Sequence, residues 1–420
     1  MTENKEINIG LFGFGIVGEG LYHALEQRQN FNVKIKKICI KHSDKNRNAP
    51  ESLFTTNKEE IFNDPSINVI VEVINDTKNA FEIVNRGLLS GRCVISASKK
   101  MIAENLQYLI DIQEKTGNTF LYESSACASI PIIRNLEEYY YNDSLQGLSG
   151  IVNGSTNFIL SKILEEGLAF ENALKLAQEL GFAESDPSLD VEAYDALHKL
   201  IILLAHGFGL LLTPIDLLFY GIQNISLSDA LYAQQQHYVI KLIAYAQRLS
   251  DGSIASFVLP SLIKEEHQFS FVQNEYNAVL IKSGLTDQQL FYGKGAGSLP
   301  TASAVLRDIS ALAHDYKYEY IKLNQAKTPQ LAEDFYLKCY ISFSPGTLLP
   351  FEELTHINTY HQAEDRHYIT AIISYQYLRE NTWWRNNGCS LLLLPDPIIE
   401  DDNFITHHFD FNQNLDRALN

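Results

Sequence analysis

Residues 7–18 read Ile7-Asn8-Ile9-Gly10-Leu11-Phe12-Gly13-Phe14-Gly15-Ile16-Val17-Gly18. The apolar run Ile7–Phe12 predicts a short strand, and the spacing over Gly20–Gln29 predicts a helix. Between them Gly13, Gly15 and Gly18 form a GxGxxG loop. In that setting the first glycine permits a tight turn and the second lets a pyrophosphate approach the backbone. The third lets helix and strand pack closely, and the free N–H groups of the helix face the phosphates. Gly13, Phe14, Gly15, Ile16, Val17 and Gly18 are therefore the candidate dinucleotide cradle.

The following hundred residues keep the same alternation. Val33–Ile40, the β-branched run Val69–Ile74, Cys93–Ser96 and Thr119–Tyr122 predict strands, with helices over Ala80–Leu89 and Asn105–Thr116. This order predicts a Rossmann-type, doubly wound parallel sheet over residues 1–134. The second strand ends Ile40-Lys41-His42, with Lys45 and Arg47 beyond it and Asp44 the first acid. An acid at that tip holds the ribose 2′-hydroxyl of NAD. A basic tip suits a 2′-phosphate, so Lys41 points to NADP, with NAD as the alternative.

From Leu145 the pattern changes. Gly147–Ile151 predicts a strand, then Asn157–Glu166, Phe170–Leu180 and Tyr194–Leu204 predict helices. Strands follow at Glu275–Lys282 and Gln289–Tyr292, and a helix at Ala302–His314. The apolar stretch Leu200–Leu212 is too short for a membrane span and contains His206, so it reads as a buried core helix. Residues 317–334 have the composition of a linker. A small α+β segment is expected after it: strand Phe335–Phe343, turn Ser344-Pro345-Gly346, helix Pro350–His356 and strand His367–Tyr377. Trp383-Trp384 and Leu391–Leu394 mark one more strand.

Composition narrows the function. Acidic residues outnumber basic ones 51 to 33, a formal charge of −18, which disfavours nucleic acid and anionic membranes as partners. The five cysteines form no CxxC pair, and the N-terminus lacks the apolar core of a signal peptide. Both features lead us to expect a cytoplasmic protein with reduced thiols.

Four further segments carry more than composition. They are Val152-Asn153-Gly154-Ser155-Thr156-Asn157; Leu180-Gly181-Phe182-Ala183-Glu184-Ser185-Asp186-Pro187 running on through Asp190, Asp195 and Lys199; Gly293-Lys294-Gly295-Ala296-Gly297 with Pro300-Thr301-Ala302; and Ser96-Ala97-Ser98-Lys99 with Tyr122-Glu123. With the glycine loop, and taken in chain order over roughly residues 7–312, they resemble homoserine dehydrogenase. The resemblance implies interconversion of aspartate 4-semialdehyde and homoserine with NAD(P)(H), and a likeness in fold: a nucleotide domain (1–134), an α+β catalytic and dimerisation domain (135–316) whose last helix returns to the nucleotide domain, a C-terminal α+β segment (330–398) that could be ACT-like, and a tail (399–420).

The residues also make chemical sense. Reducing an aldehyde needs a proton source for the developing alkoxide, and an ammonium group supplies proton and charge together. Lys199 fits that role, and the resemblance implies that Lys99 lies beside the nicotinamide as a second candidate. Glu184, Asp190 and Asp195 can hold a substrate ammonium group. Asp195 and Lys199, at i and i+4, share a helix face. The resemblance adds Gly181 as a substrate and cofactor contact and Gly297 as a second cofactor contact. It also implies a monovalent cation, usually Na⁺, on the backbone carbonyls of Glu123, Ala126, Ala128 and Ile130. This sequence departs from the family at Ala126-Cys127-Ala128-Ser129, at Asn75-Asp76-Thr77 and at Ala193, where glycines are usual. The alternatives are a different Rossmann oxidoreductase using Lys99 as its acid and a catalytically silent NADP-binding regulatory protein. No partner beyond a small-molecule substrate and a second copy of the chain is expected.

Overall fold

The computed structural model describes residues 6–27, 32–42, 46–141, 144–325, 328–347, 349–351, 354, 356–362, 366–386 and 388–400. Up to residue 127 the chain alternates as expected. β1 (Ile7–Phe12), α1 (Ile16–Glu26), β2 (Val33–Cys39), β3 (Phe54–Thr55), α2 (Glu59–Phe62) and β4 (Val69–Glu72) come first. α3 (Thr77–Leu89), β5 (Cys93–Ser96), α4 (Lys99–Thr116), β6 (Phe120–Leu121) and the short α5 (Ser124–Cys127) follow. The six strands form one parallel sheet in the order β3-β2-β1-β4-β5-β6, which reverses direction at β1. Ile9, Leu11, Ile70, Val71, Val94 and Ile95 are wholly buried, as strands covered on both faces require.

The remainder holds β7 (Leu145–Ile151), α6 (Gly154–Glu166), α7 (Phe170–Glu179), α8 (Ser188–Val191), α9 (Tyr194–Phe208), β8 (Leu218–Phe219), α10 (Leu227–Gln235), β9 (Tyr238–Arg248) and β10 (Ile254–Lys264). Then come β11 (Tyr276–Ser283), β12 (Asp287–Lys294), α11 (Ser298–Leu312), β13 (Tyr336–Phe343), β14 (His356–His361), β15 (His367–Ser374), α12 (Tyr375–Glu380) and β16 (Cys389–Ile399). Nine of these strands run in the order β12-β11-β7-β9-β10-β16-β13-β15-β14, and β8 pairs with β10. The last four in that row, β16-β13-β15-β14, are mutually antiparallel. Phe257 and Leu259 of β10 share one core cluster with Leu337, Ile341, Ile369, Leu391 and Trp384.

By packing, the chain divides into two units. One comprises 1–144, 198–214 and 293–328, and the other 145–197, 215–292 and 329–420. This division is discontinuous, and it groups α11 with residues 1–144. Within the first unit α11 packs on α1. A Cβ at Gly20 would lie 2.5 Å from Ser298 Oγ, and the Ser298 hydroxyl donates to the Ile16 carbonyl at 2.8 Å.

Several elements differ from expectation. α4 starts at Lys99 rather than Asn105, because Asn105 (φ −129°) interrupts the helical geometry and blurs its periodicity. Tyr375–Tyr377 belong to α12, capped by the Ser374 hydroxyl, and not to the preceding strand. Trp383–Arg385 form a 3₁₀ turn, and β16 carries Leu391–Leu394. Ile399 still lies in β16. The helix expected at Pro350–His356 falls partly outside the described residues, and His356 opens β14. Lys45, Asp44 and residues 401–420 also lie outside them. Tyr318 and Tyr320, in the expected linker, are buried, and the Tyr320 hydroxyl lies 3.0 Å from that of Tyr122. Among the described residues no helix is long and apolar enough to cross a membrane.

Candidate active site

The glycine loop in the first unit has the geometry its spacing requires. Gly13 has φ +101°, and a Cβ there would lie 2.9 Å from the Val73 carbonyl oxygen. A Cβ at Gly18 would stand 2.3 Å from the Gly13 carbonyl oxygen. A Cβ at Gly15 would meet nothing within 4 Å, so this is where a phosphate can approach. Gly15 caps α1 without a side-chain hydrogen bond, as Gly297 (φ +114°) caps α11. Both helix starts leave N–H groups for an anion.

Beside the loop lies a cavity of about 810 Å³, lined by Gly13–Gly15, Lys41, His42, Arg47, Lys58 and residues 73–76. Among the described residues no carboxylate lies within ion-pairing distance of Lys41, whereas Lys58 meets Glu82 at 2.5 Å. The Arg47 guanidinium bonds to the His42 carbonyl and lies over the Phe54 ring. These groups fit a dinucleotide. After β4, Asp76 accepts from the Asn79 N–H at 2.9 Å and caps α3. That bond, foremost, holds the Asp76 carboxyl below its usual range.

The carboxyl ends of β4 and β5 stand side by side, with Glu72 opposite Ser96. The Ser96 hydroxyl donates to Glu72 Oε2 at 2.5 Å and accepts from the Ser98 N–H at 3.1 Å. Lys99 is the first residue of α4, directly after this turn. Burial pushes the Glu72 carboxyl up to about 7, against the pull of its bonds from Ser96 and Ile74.

The segment expected to hold a cation begins at Glu123. Its carboxylate is buried and accepts from the Ile133 and Arg134 N–H groups, both at 2.9 Å. Its own N–H donates to Asp308 Oδ2 at 3.0 Å. Burial is the largest cause raising both carboxyls. Ala128 takes φ 41°, a conformation in which glycine would be easier. Ala126, Ala128 and Ile130 are buried, and among the described residues no loop N–H donates to their carbonyls. Such carbonyls fit a hard monovalent cation.

In the second unit the motif residues converge on Asn153. Its Oδ1 accepts from the Thr156 N–H at 2.8 Å and caps α6. Its Nδ2 donates to Asp190 Oδ1 at 2.7 Å and to Asp195 Oδ2 at 2.8 Å. The Ser155 hydroxyl donates to the Phe182 carbonyl at 2.6 Å and so ties this turn to the Gly181 loop. Gly154 is required where it stands, since a Cβ would lie 2.5 Å from the Glu275 carbonyl oxygen. Gly181 has φ +78° and open space around it. Glu184 is exposed, and its carbonyl accepts from the Gln178 amide at 3.0 Å.

Asp195 lies in the first turn of α9, with Lys199 one turn further along that helix, and both are buried. Sequence reasoning places Asn153 in a motif without assigning it a role, and does not reach Glu72, Ser96 or Asp308 as functional residues. The signals are present: an amide opening a glycine-serine turn, and acids placed inside otherwise apolar segments. Ala193, just before α9, has φ 72° and is wholly buried. That is a strained position for a residue with a Cβ.

Comparison with known proteins identifies the family. Residues 131–310 match the family model described as homoserine dehydrogenase, and residues 13–123 match that of its NAD binding domain. The homoserine dehydrogenase of Bacillus subtilis is 37% identical over 318 residues, covering 73% of each chain. That of Neisseria gonorrhoeae is 33% identical over 367 residues, covering 84% of this chain and 80% of its own. Among solved structures, the homoserine dehydrogenase from Thiobacillus denitrificans superposes with a TM-score of 0.81 at 30% identity. It covers 93% of this chain and 99% of its own.

Proposed function

The chain belongs to the homoserine dehydrogenase family, and on that premise we propose how its residues divide the work of reducing L-aspartate 4-semialdehyde to L-homoserine, and the reverse. It is an oxidoreductase with an NAD(P)-binding domain, and nothing in the matches favours the silent-binder alternative. Gly13–Gly18 and the start of α1 receive the pyrophosphate, with Gly181 and Gly297 as further contacts. Lys41 receives a 2′-phosphate, which makes NADP the preferred cofactor and NAD the lesser one.

A bound nicotinamide cofactor would supply the hydride for the reduction and accept it in the reverse direction. Lys199 gives its proton to the carbonyl oxygen as charge develops there, and takes it back in the oxidative direction. Lys99 is the second candidate for that role. Glu184, Asp190 and Asp195 hold the amino-acid end of the substrate, and Asn153 keeps the two aspartates in register. What carries this reading is the pair of hydrogen bonds from one Asn153 amide to Asp190 and Asp195. The carbonyls of Glu123, Ala126, Ala128 and Ile130 would hold Na⁺, whose charge would fix the backbone of that loop.

The reaction places the protein in threonine and methionine biosynthesis, and we assign it to the cytoplasm. A homodimer is the expected assembly. The strand order β16-β13-β15-β14 supports an ACT-like reading of residues 330–398. The test is homoserine-dependent growth of the NADPH absorbance band, with NADP⁺ and NAD⁺ in turn, for wild type and Lys199→Ala. A loss of roughly 10²–10⁴-fold in kcat with cofactor binding intact supports the role of Lys199. Unchanged turnover moves the role to Lys99.

A further inference from the structure

We propose that Glu72 is a positioning residue for the reaction: its buried carboxylate fixes both loops at the carboxyl edge of the parallel sheet, the residue 73–76 wall of the nucleotide cavity and the Ser96–Lys99 turn. The inference rests on the reading of Lys99 as a reaction-centre residue and of the cavity as the nucleotide site.

Every acceptor on Glu72 has a use in this arrangement. Oε1 accepts from the Ile74 N–H at 2.7 Å, and Ile74 lines the cavity. Oε2 accepts from the Ser96 hydroxyl at 2.5 Å. The backbone carbonyl accepts from the Ala97 N–H at 3.1 Å. Ser96 passes the constraint on. Because its proton is committed to Glu72, its lone pair faces the Ser98 N–H at 3.1 Å. The Lys99 N–H then closes on the Ala97 carbonyl at 3.0 Å, and α4 begins. The backbone from Ser96 to Lys99 is thus held at each residue.

The acid has no simpler purpose there. Glu72 and Ser96 are wholly buried at the ends of strands that are otherwise apolar, Val69-Ile70-Val71 and Val94-Ile95. Burial raises its pKa, and the groups that act against burial are the hydrogen bonds of Ser96 and Ile74 rather than a cation. A buried acid held in this way costs stability. An apolar residue would pack at lower cost and leave both loops untied. Lys99 need move only about 1 Å for the rate to fall by as much as roughly 100-fold.

The test uses the full-length enzyme with steady-state kinetics and cofactor binding. Ser96→Ala should lower kcat about tenfold with the KM for NADP⁺ changed by less than about threefold, and Ser96→Thr should restore kcat to within about twofold. Glu72→Leu should lower kcat and also raise the cofactor KM several-fold, because it frees Ile74 as well. Should Glu72→Leu fail to fold, the two Ser96 variants decide the matter. Wild-type kcat in folded Ser96→Ala overturns the proposal, as does a loss that merely tracks the fraction of folded protein. Lys99→Ala separates the two ideas. If it is crippled while Ser96→Ala is not, the positioning role alone fails. If it too is normal, the reading of Lys99 fails and takes the proposal with it.

Discussion

The side-chain amide of Asn153 donates to Asp195 Oδ2 at 2.8 Å, across a gap of 42 positions in the chain. The same nitrogen reaches Asp190, and the amide oxygen caps α6. One side chain therefore couples a helix start to the acids proposed to hold the substrate. Asn153→Ser keeps a good helix cap but cannot reach both acids. The homoserine KM should rise about tenfold, equivalent to about 1.4 kcal/mol, with the melting temperature nearly unchanged. Asn153→Ala should lose the cap as well, at about 1 kcal/mol. Initial rates and thermal melts on the two variants check this.

Ala193 is the position where sequence and backbone disagree most plainly. At φ 72° it carries a Cβ that a left-handed conformation tolerates poorly. Ala193→Gly should therefore stabilise the protein by about 1 kcal/mol, because relief of strain outweighs the added freedom of the unfolded chain. Denaturant unfolding measures the difference, and an unchanged or lower midpoint would refute it.

Glu72 should leave a signature in the pH dependence of stability. Its folded pKa of about 7 lies above the ordinary carboxylate value, so the folded state holds the proton more tightly. Its contribution is fully present below about pH 4.5 and is lost as pH rises through about 7, for a total of roughly 3 kcal/mol. Glu72→Gln removes this titration. Relative to wild type, the variant should gain stability between about pH 5 and about pH 8, as calorimetry at the two values would show.

Lys41 should discriminate between cofactors. It lines the cavity beyond the end of β2, and its charge helps to lower the pKa of Asp76 on the same wall. Lys41→Ala should raise the KM for NADP⁺ about tenfold, as loss of a charge-assisted bond would, and leave that for NAD⁺ within about twofold. Equal effects on both would detach Lys41 from the 2′-phosphate.

Much of the nucleotide half was legible because its signals are local. GxGxxG must turn tightly, and Val69–Val71 must be buried on both faces. β1 and β5 begin and end where their apolar runs do. The long β9–β10 hairpin was not anticipated, although its register is continuous from Arg248 opposite Ile254 to Tyr238 opposite Lys264. Its strands, YVIKLIAYAQR and IASFVLPSLIK, lack clean alternation because their burial comes from partners far along the chain. The site residues divide in the same way. Lys99, Lys199 and the acids are proposed from motif spacing and the family resemblance. Asn153, Glu72 and Asp308 act by bonding to residues distant in sequence, and spacing holds no record of such contacts.

β10 and β16 run parallel, with Leu393 opposite Ser261, and Phe257 and Leu259 share a core with Leu337, Ile341 and Leu391. The consequence concerns modularity. A gene shortened before β13 would bare the β10 edge around Ser261 together with the core residues Phe257 and Leu259. Exposed edges of that kind recruit other chains. Deleting the C-terminal segment would then yield an insoluble protein rather than an unregulated one, so any influence of that segment on catalysis is best sought by point substitution.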